Sequence, residues 1–397
     1  MDVFDTRYFR INRMLLSTVR LWPIQSSSKK NTLLYCAILS NILFIILPQI
    51  AYLFKHAKNL DDFYDLLPTL LGATICFIKI IGFHKKLKKF RILIEHVRYD
   101  WNLLADHDDT WILIEYIERS RIFTLIYLIF LSITAICSVS APITLPIIDN
   151  IMGSNVTRPK RLPHPSEFFF NLDKYYYTIL AISYVGYALC AMIIMATDTI
   201  YFALLQHVCG VLTILSYRLK KLIISNESDN IDHNRMPKWD KNIQNIIQCV
   251  RLQIRIERLI HLIQSTFAVS LFTDIGLGIL FQCSSCVMIV MHTDTVYLIK
   301  NCPLLLIQSS RMLFNSWLGQ RIIDHSSQIS FAIYSGLWYQ MSLEAKKMLL
   351  FLIMNCQKPY RITIAKLYAI SLEGYSMLMR MSASYVTLMI SLNSNDI

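Results

Sequence analysis

The 397 residues are 54% hydrophobic and 17% charged, with a formal net charge of +12. Soluble domains carry about a quarter charged residues, so a chain this oily cannot hide its apolar surface in one water-bounded core, and lipid is the solvent for the surplus. The basic residues lie between apolar runs and form no aromatic-studded polar face, so they act as topology signals and no nucleic-acid partner is expected.

The opening, Met1 to Lys30, is polar and basic, and the first apolar run continues past the length of a leader's core, so it is read as a span and not as a cleaved signal. Seven apolar runs follow in order: 33–54, 63–83, 122–148, 176–205, 262–291, 298–319 and 362–392. Each is about 20 residues or longer, enough to cross ~30 Å of hydrocarbon at 1.5 Å per residue. Pro48, Pro68, Pro142 and Pro303 fall within or near these runs, where membrane helices tolerate kinks.

The connecting pieces set the orientation. With the N-terminus inside, the cytoplasmic pieces hold 28 Lys and Arg and the outer pieces 6. That bias predicts a cytoplasmic N-terminus and an extracellular C-terminus. Asn155-Val156-Thr157 is a glycosylation sequon in the second outer loop, and Asn155 is the expected acceptor. The inner pieces are themselves helical in pattern. Apolar residues recur at helical spacing over 85–121 and 240–261, and a short amphipathic helix is expected over 342–356. These are cytoplasmic extensions of the bundle, forming an anchor region on a single seven-helix domain covering 1–397.

No catalytic constellation is present: there is no GxSxG, P-loop, HExxH or kinase signature. Cys283-x-x-Cys286 lacks the second pair that a zinc site requires, so neither metal nor cofactor is expected and the chain is not read as an enzyme. The polar groups inside the spans carry more information, because a charge in lipid faces protein or water. Asp198 and Asp274 are expected to pair with Lys or Arg inside the bundle. On the last run Glu373, Ser376, Arg380, Ser384, Thr387 and Ser391 fall on one stripe about 80° wide. One helix carrying a continuous polar seam suggests a water-filled path. The outer halves of spans two to four are apolar with a few hydroxyls: Leu67, Leu70, Leu71, Ala135, Ile136, Val139, Tyr177, Tyr184 and Tyr187, with Tyr297 at the head of span six. Packed between helices, such a set can form a pocket for a small volatile or lipid-like ligand; ordinary packing with an interfacial Tyr belt is the alternative.

The last 70 residues resemble an insect odorant receptor. Tyr334 stands before Trp338-Tyr339, Lys346-Lys347 lie in the following helix, Gln357-Lys358-Pro359 precedes the last span, and Ser384-Tyr385-Val386-Thr387-Leu388-Met389 is similar to the family's terminal Ser-Tyr-Phe-Thr-Leu-Leu. Gln308 and Gly319 also fit. The resemblance implies an odorant-gated, non-selective cation channel of four subunits in the plasma membrane of an olfactory neuron's dendrite, with the last span lining the pore. Lacking the co-receptor's large inner-loop insertion, the chain looks like the ligand-tuned subunit that needs co-receptor partners. Carried over by motif, the gate positions are Leu388 and Leu392, with Ser391 beside them and Ser384 and Thr387 on the same seam. Ser391 is shorter than the co-receptor's polar residue there. A G-protein-coupled receptor is opposed by the charge bias and by the missing Asn-Pro-x-x-Tyr. A gustatory-type channel is opposed by Ser391-Leu392 in the terminal motif, and a transporter by the absence of an internal repeat.

Overall fold

The computed structural model describes the chain apart from residues 1–2, 25–28, 57–59, 105–107, 152–161, 169–171, 225–237, 292–294, 337, 365–367 and 395–397. Ten α-helices are described: α1 Arg10–Thr18, α2 Lys29–His56, α3 Leu60–Lys85, α4 Leu87–Leu104, α5 Thr110–Ile151, α6 Leu172–Ile224, α7 Lys238–Met291, α8 Thr295–Tyr334, α9 Leu343–Cys356 and α10 Leu372–Ser394. A two-stranded antiparallel hairpin, β1 Thr363–Ile364 and β2 Tyr368–Ala369, precedes α10.

α2, α3, α5, α6 and α7 contain windows long and apolar enough to cross a membrane. α8 and α10 pack on α7, and α8 on α5 and α6, completing a seven-helix all-α bundle. Both carry charges that lower their apolar character: Lys300, Arg311 and Arg321 on α8, Glu373 and Arg380 on α10. The 53 residues of α6 and 54 of α7 reach about 80 Å at 1.5 Å per residue, well beyond the hydrocarbon. Their surplus runs out on one side, where α4 and α9 pack on α7 and α1 packs on α6. The core at this end is aromatic: Phe4, Phe9, Trp22 and Phe90 stack with ring centroids 4.9 to 6.4 Å apart. The N-terminal segment therefore sits with the helical extensions.

Two sequence expectations differ from the structure. The stretch 85–121 is not one helix: α4 ends at Leu104 and α5 begins at Thr110. The last spanning helix begins at Leu372, ten residues after the apolar run starts at 362. Thr363 and Ile364 pair instead with Ala369 and Tyr368, Ile370 N–H donates to the Ile362 carbonyl at 2.9 Å, and Ser371 caps the helix by accepting from Gly374 N–H at 3.1 Å. The hairpin lies hard against α8: a Cβ at Gly319 would stand 2.2 Å from the Ile370 carbonyl oxygen, so only glycine admits that approach.

Candidate ligand cavity and pore helix

The bundle centre is held by charge. Lys79 of α3, Asp198 of α6, Asp274 of α7 and Arg311 of α8 are all buried and form a closed ring. Lys79 Nζ lies 2.7 Å from Asp198 and 2.8 Å from Asp274. The Arg311 guanidinium lies 2.9 Å from Asp198 and 2.5 Å from Asp274. Tyr127 of α5 donates to Asp198 at 2.8 Å, and Arg311 donates to Gln308 at 3.1 Å. Two cations and two carboxylates cancel, and nearly every lone pair is met, which is the condition under which buried ions are tolerable. The partners expected for Asp198 and Asp274 are thus Lys79 and Arg311.

On one side of the ring is an apolar cavity of about 120 Å³ among α3, α5, α6, α7 and α8, floored by Gln308 and Arg311. A dry cavity of about 150 Å³ accepts benzene, so this space suits a compact small molecule. Ala135, Tyr187 and Ala191 also line a groove of about 540 Å³ between α5 and α6, which opens at their outward face and includes Ile136, Tyr184 and Met195. On the other side of the ring lies a void of about 10 Å³ bounded by Asp274, Arg311, Asn315, Tyr368 and Leu378, about the space of one water. The ring therefore separates the cavity from the hairpin and α10.

The residues singled out in the sequence distribute unevenly. Ala135, Ile136, Tyr184 and Tyr187 meet at the groove. Leu67, Leu70 and Leu71 do not line either space; α3 presents Pro68, Thr69, Gly72 and Ala73 instead. Tyr177 is exposed away from the cavity, and Tyr297 lies off both walls. The Val139 and Leu392 side chains and Asn155 lie outside the described residues. The small residues Gly72, Ala73 and Cys76, and Ala188 with Ala191, were the signal available in sequence: they leave the room that the cavity occupies.

Residues 162–168, between α5 and α6, pack against this region. Glu167 N–H donates to the Pro48 carbonyl at 3.0 Å, and Lys55 pairs with Glu167 at 2.5 Å. His164 is buried with its Nδ1 2.8 Å from the Tyr187 hydroxyl, and burial, reinforced by Lys300, lowers its pKa to about 3.

α10 has two opposite faces. Leu378 and Ser382 are buried. Gln282 reaches the Met379 sulfur at 3.0 Å and Tyr64 the Met389 sulfur at 3.1 Å. Across the helix Glu373, Arg380, Ser384, Thr387, Leu388 and Ser391 are exposed. At 100° per residue Glu373, Arg380, Ser384 and Ser391 fall within about 40° of arc. The Thr387 and Ser391 hydroxyls bond back to their own helix at 2.6 and 2.8 Å. Neither Glu373 nor Arg380 has an ion-pair partner among the described residues, and none of these residues forms a His/Cys/Asp/Glu group able to hold a metal.

A family model described as 7tm odorant receptor matches residues 59–383. Odorant receptor Or1 of Anopheles gambiae is 19% identical over 99% of this chain and 97% of its own length. Odorant receptor Or2 of the same mosquito is 23% identical over 76% and 77%. A local match to odorant receptor 10 of Aedes albopictus is 36% identical over 73 residues, only 18% of this chain and 20% of that receptor. The solved olfactory receptor OR5 of Machilis hrabei in complex with eugenol superposes with a TM-score of 0.78 at 12% identity, covering 96% of this chain and 97% of that one. Without eugenol the TM-score is 0.76.

Proposed function

The chain belongs to the insect odorant receptor family, a family of membrane receptors and not of enzymes, and on that premise we propose that it is the odorant-tuned subunit of a ligand-gated, non-selective cation channel. It assembles with co-receptor subunits into a tetramer in the plasma membrane, N-terminus in the cytoplasm, with α10 of each subunit facing a shared pore. The carrying observation is the exposed polar face of α10: its charges find no ion-pair partner among the described residues, and a charge at membrane depth, as at Arg380, requires water or another subunit.

A small, mostly apolar odorant enters from the groove between α5 and α6 into the cavity above Gln308 and Arg311. Binding favours the open arrangement by the difference in affinity between the two states. The ring lies between that cavity and the hairpin, so a shift of α8 is carried through Arg311 and Asn315 to Tyr368, and through Gly319 to Ile370, at the root of α10. Leu388, with Leu392, forms an apolar constriction that closes by dewetting, and Ser384, Thr387 and Ser391 line the wetted path. Asn155 is the glycan acceptor on the outer side.

Odorant-evoked currents in cells expressing this chain with the co-receptor test the reading. Cation currents should appear with both chains. Identical odorant responses from the co-receptor alone would refute it. An N-terminal epitope reached on intact cells would refute the orientation.

A further inference from the structure

A second concave site lies outside the bundle. α4 runs beside the first part of α7, and each buries one face: Leu93, Ile94 and Val97 on α4, Leu252, Ile256 and Leu259 on α7. Their outward faces leave a groove of about 620 Å³. On α7 it is walled by Arg251, Arg255 and Arg258, whose spacing places three guanidinium groups within about 60° of one helix face. On α4 it is walled by His96 and Tyr99. Ile92 and Ile254, both exposed, add apolar contact.

The charge in this groove is only partly compensated. Arg255 is held by Asp100 at 3.1 Å and lies 4.8 Å from the centre of the Tyr99 ring. Glu95, the one carboxylate on the wall, is engaged by Arg91 at 3.1 Å. Arg251 and Arg258 are exposed and have no ion-pair partner among the described residues. Lys86, at the α3–α4 junction, donates to the Ser265 carbonyl at 2.6 Å, which ties the start of α4 to α7 beside the groove. The apolar run on α7 begins at 262, so Arg258 lies about 6 Å and Arg251 about 16 Å outside the hydrocarbon. The headgroup layer adds about 5–8 Å on each side of the hydrocarbon, so Arg258 lies within it and Arg251 on its aqueous side, the depth reached by a large headgroup that projects beyond its neighbours.

We propose that this groove binds the polyphosphorylated headgroup of an anionic lipid of the phosphoinositide class. Guanidinium forks match phosphate oxygens bidentately, the imidazole and phenol add donors, and Ile92 and Ile254 meet the less polar part of the molecule. Placing the site on the cytoplasmic leaflet rests on the orientation proposed above; the binding itself does not.

The test uses the full-length chain in nanodiscs of phosphatidylcholine alone or doped with a phosphatidylinositol bisphosphate. Retained lipid is read by native mass spectrometry and the melting temperature is followed in parallel. The doped lipid should be retained and should raise the melting temperature. The double variant R251Q/R258Q, which leaves the Arg255–Asp100 pair intact, should bind about tenfold more weakly or worse while melting like the parent in neutral nanodiscs. R251K/R258K, which keeps charge but loses the fork, should fall between and stands in if the glutamine variant does not fold. Equal retention by parent and variants overturns the site. Equal retention of phosphatidylserine overturns the headgroup class, and equal affinity for soluble inositol trisphosphate overturns the lipid as occupant. Because no current is recorded, a failed channel reading leaves this result standing, and the reverse.

Discussion

The bundle centre and α10 solve the same problem in opposite ways. Lys79, Asp198, Asp274 and Arg311 bring four charges into the hydrocarbon and satisfy them within one chain, with Tyr127 and Gln308 taking the remaining bonds. Glu373, in the first turn of α10, and Arg380, two turns further on, find no counter-charge among the described residues; Arg380 donates to Ser376, one turn back, at 3.3 Å. The first arrangement needs nothing else. The second is complete only when water or neighbouring subunits cover it. The same residue types therefore form a structural clamp in one place and, in the channel proposed here, a face toward water or another subunit in the other, and what separates them is whether a counter-charge is found among the described residues of the same chain.

Breaking one clamp partner is the largest expected effect. Asp198→Asn keeps the shape but leaves Lys79 and Arg311 under-compensated, and removing one partner of a buried pair costs about 3–5 kcal/mol. Thermal unfolding of the detergent-solubilised chain should fall accordingly, whereas Arg380→Gln should leave the melting temperature near that of the parent and alter ion permeation instead. If both variants lose stability equally, the contrast between the two regions is false.

A smaller effect is expected at the cavity. Ala191 lines both groove and cavity, so Ala191→Phe fills the entrance without touching the clamp. Odorant concentration–response curves should shift by about tenfold or more, with melting little changed. An unshifted curve would move the ligand elsewhere. At α10, Leu388→Ser should wet the proposed constriction and raise basal current severalfold; a basal current equal to the parent's would take Leu388 out of the closure.

Which of these features could be read from sequence depends on whether they live in one helix or between several. The polar face of α10 is a property of one helix, and the spacing from Glu373 to Ser391 shows it directly. The identities of the buried charges were also legible, since any Lys, Asp or Arg inside an apolar run stands out. Their pairing across α3, α6, α7 and α8 was not, because it depends on helix rotation and depth. The same dependence hides which side of α3 meets the cavity: Leu67, Leu70 and Leu71 look like a pocket wall, yet Pro68, Thr69, Gly72 and Ala73 line it. The start of α10 was lost for another reason. Residues 362–370 are mostly apolar, so they read as part of the span, while the Ser371 cap is a local signal that a run-length reading passes over.

The smallest effect concerns the segment 162–168 beside the cavity, and it extends the contrast to a group buried without a counter-charge among the described residues. Among the described residues no carboxylate pairs with His164; its partner is the neutral Tyr187 hydroxyl, and burial lowers its pKa to about 3. In the unfolded chain the imidazole titrates near 6.5. Between these values the unfolded state takes up a proton that the folded state refuses, so the stabilising contribution is complete above about pH 6.5 and is lost as pH falls toward 3. The slope from one such group is at most about 1.4 kcal/mol per pH unit. His164→Gln retains a polar side chain of similar reach and removes the titration, so the parent's melting temperature should drop more steeply than the variant's between pH 6.5 and 5. Parallel pH profiles would mean that His164 accepts its proton in place, with the segment opening locally to let water reach it.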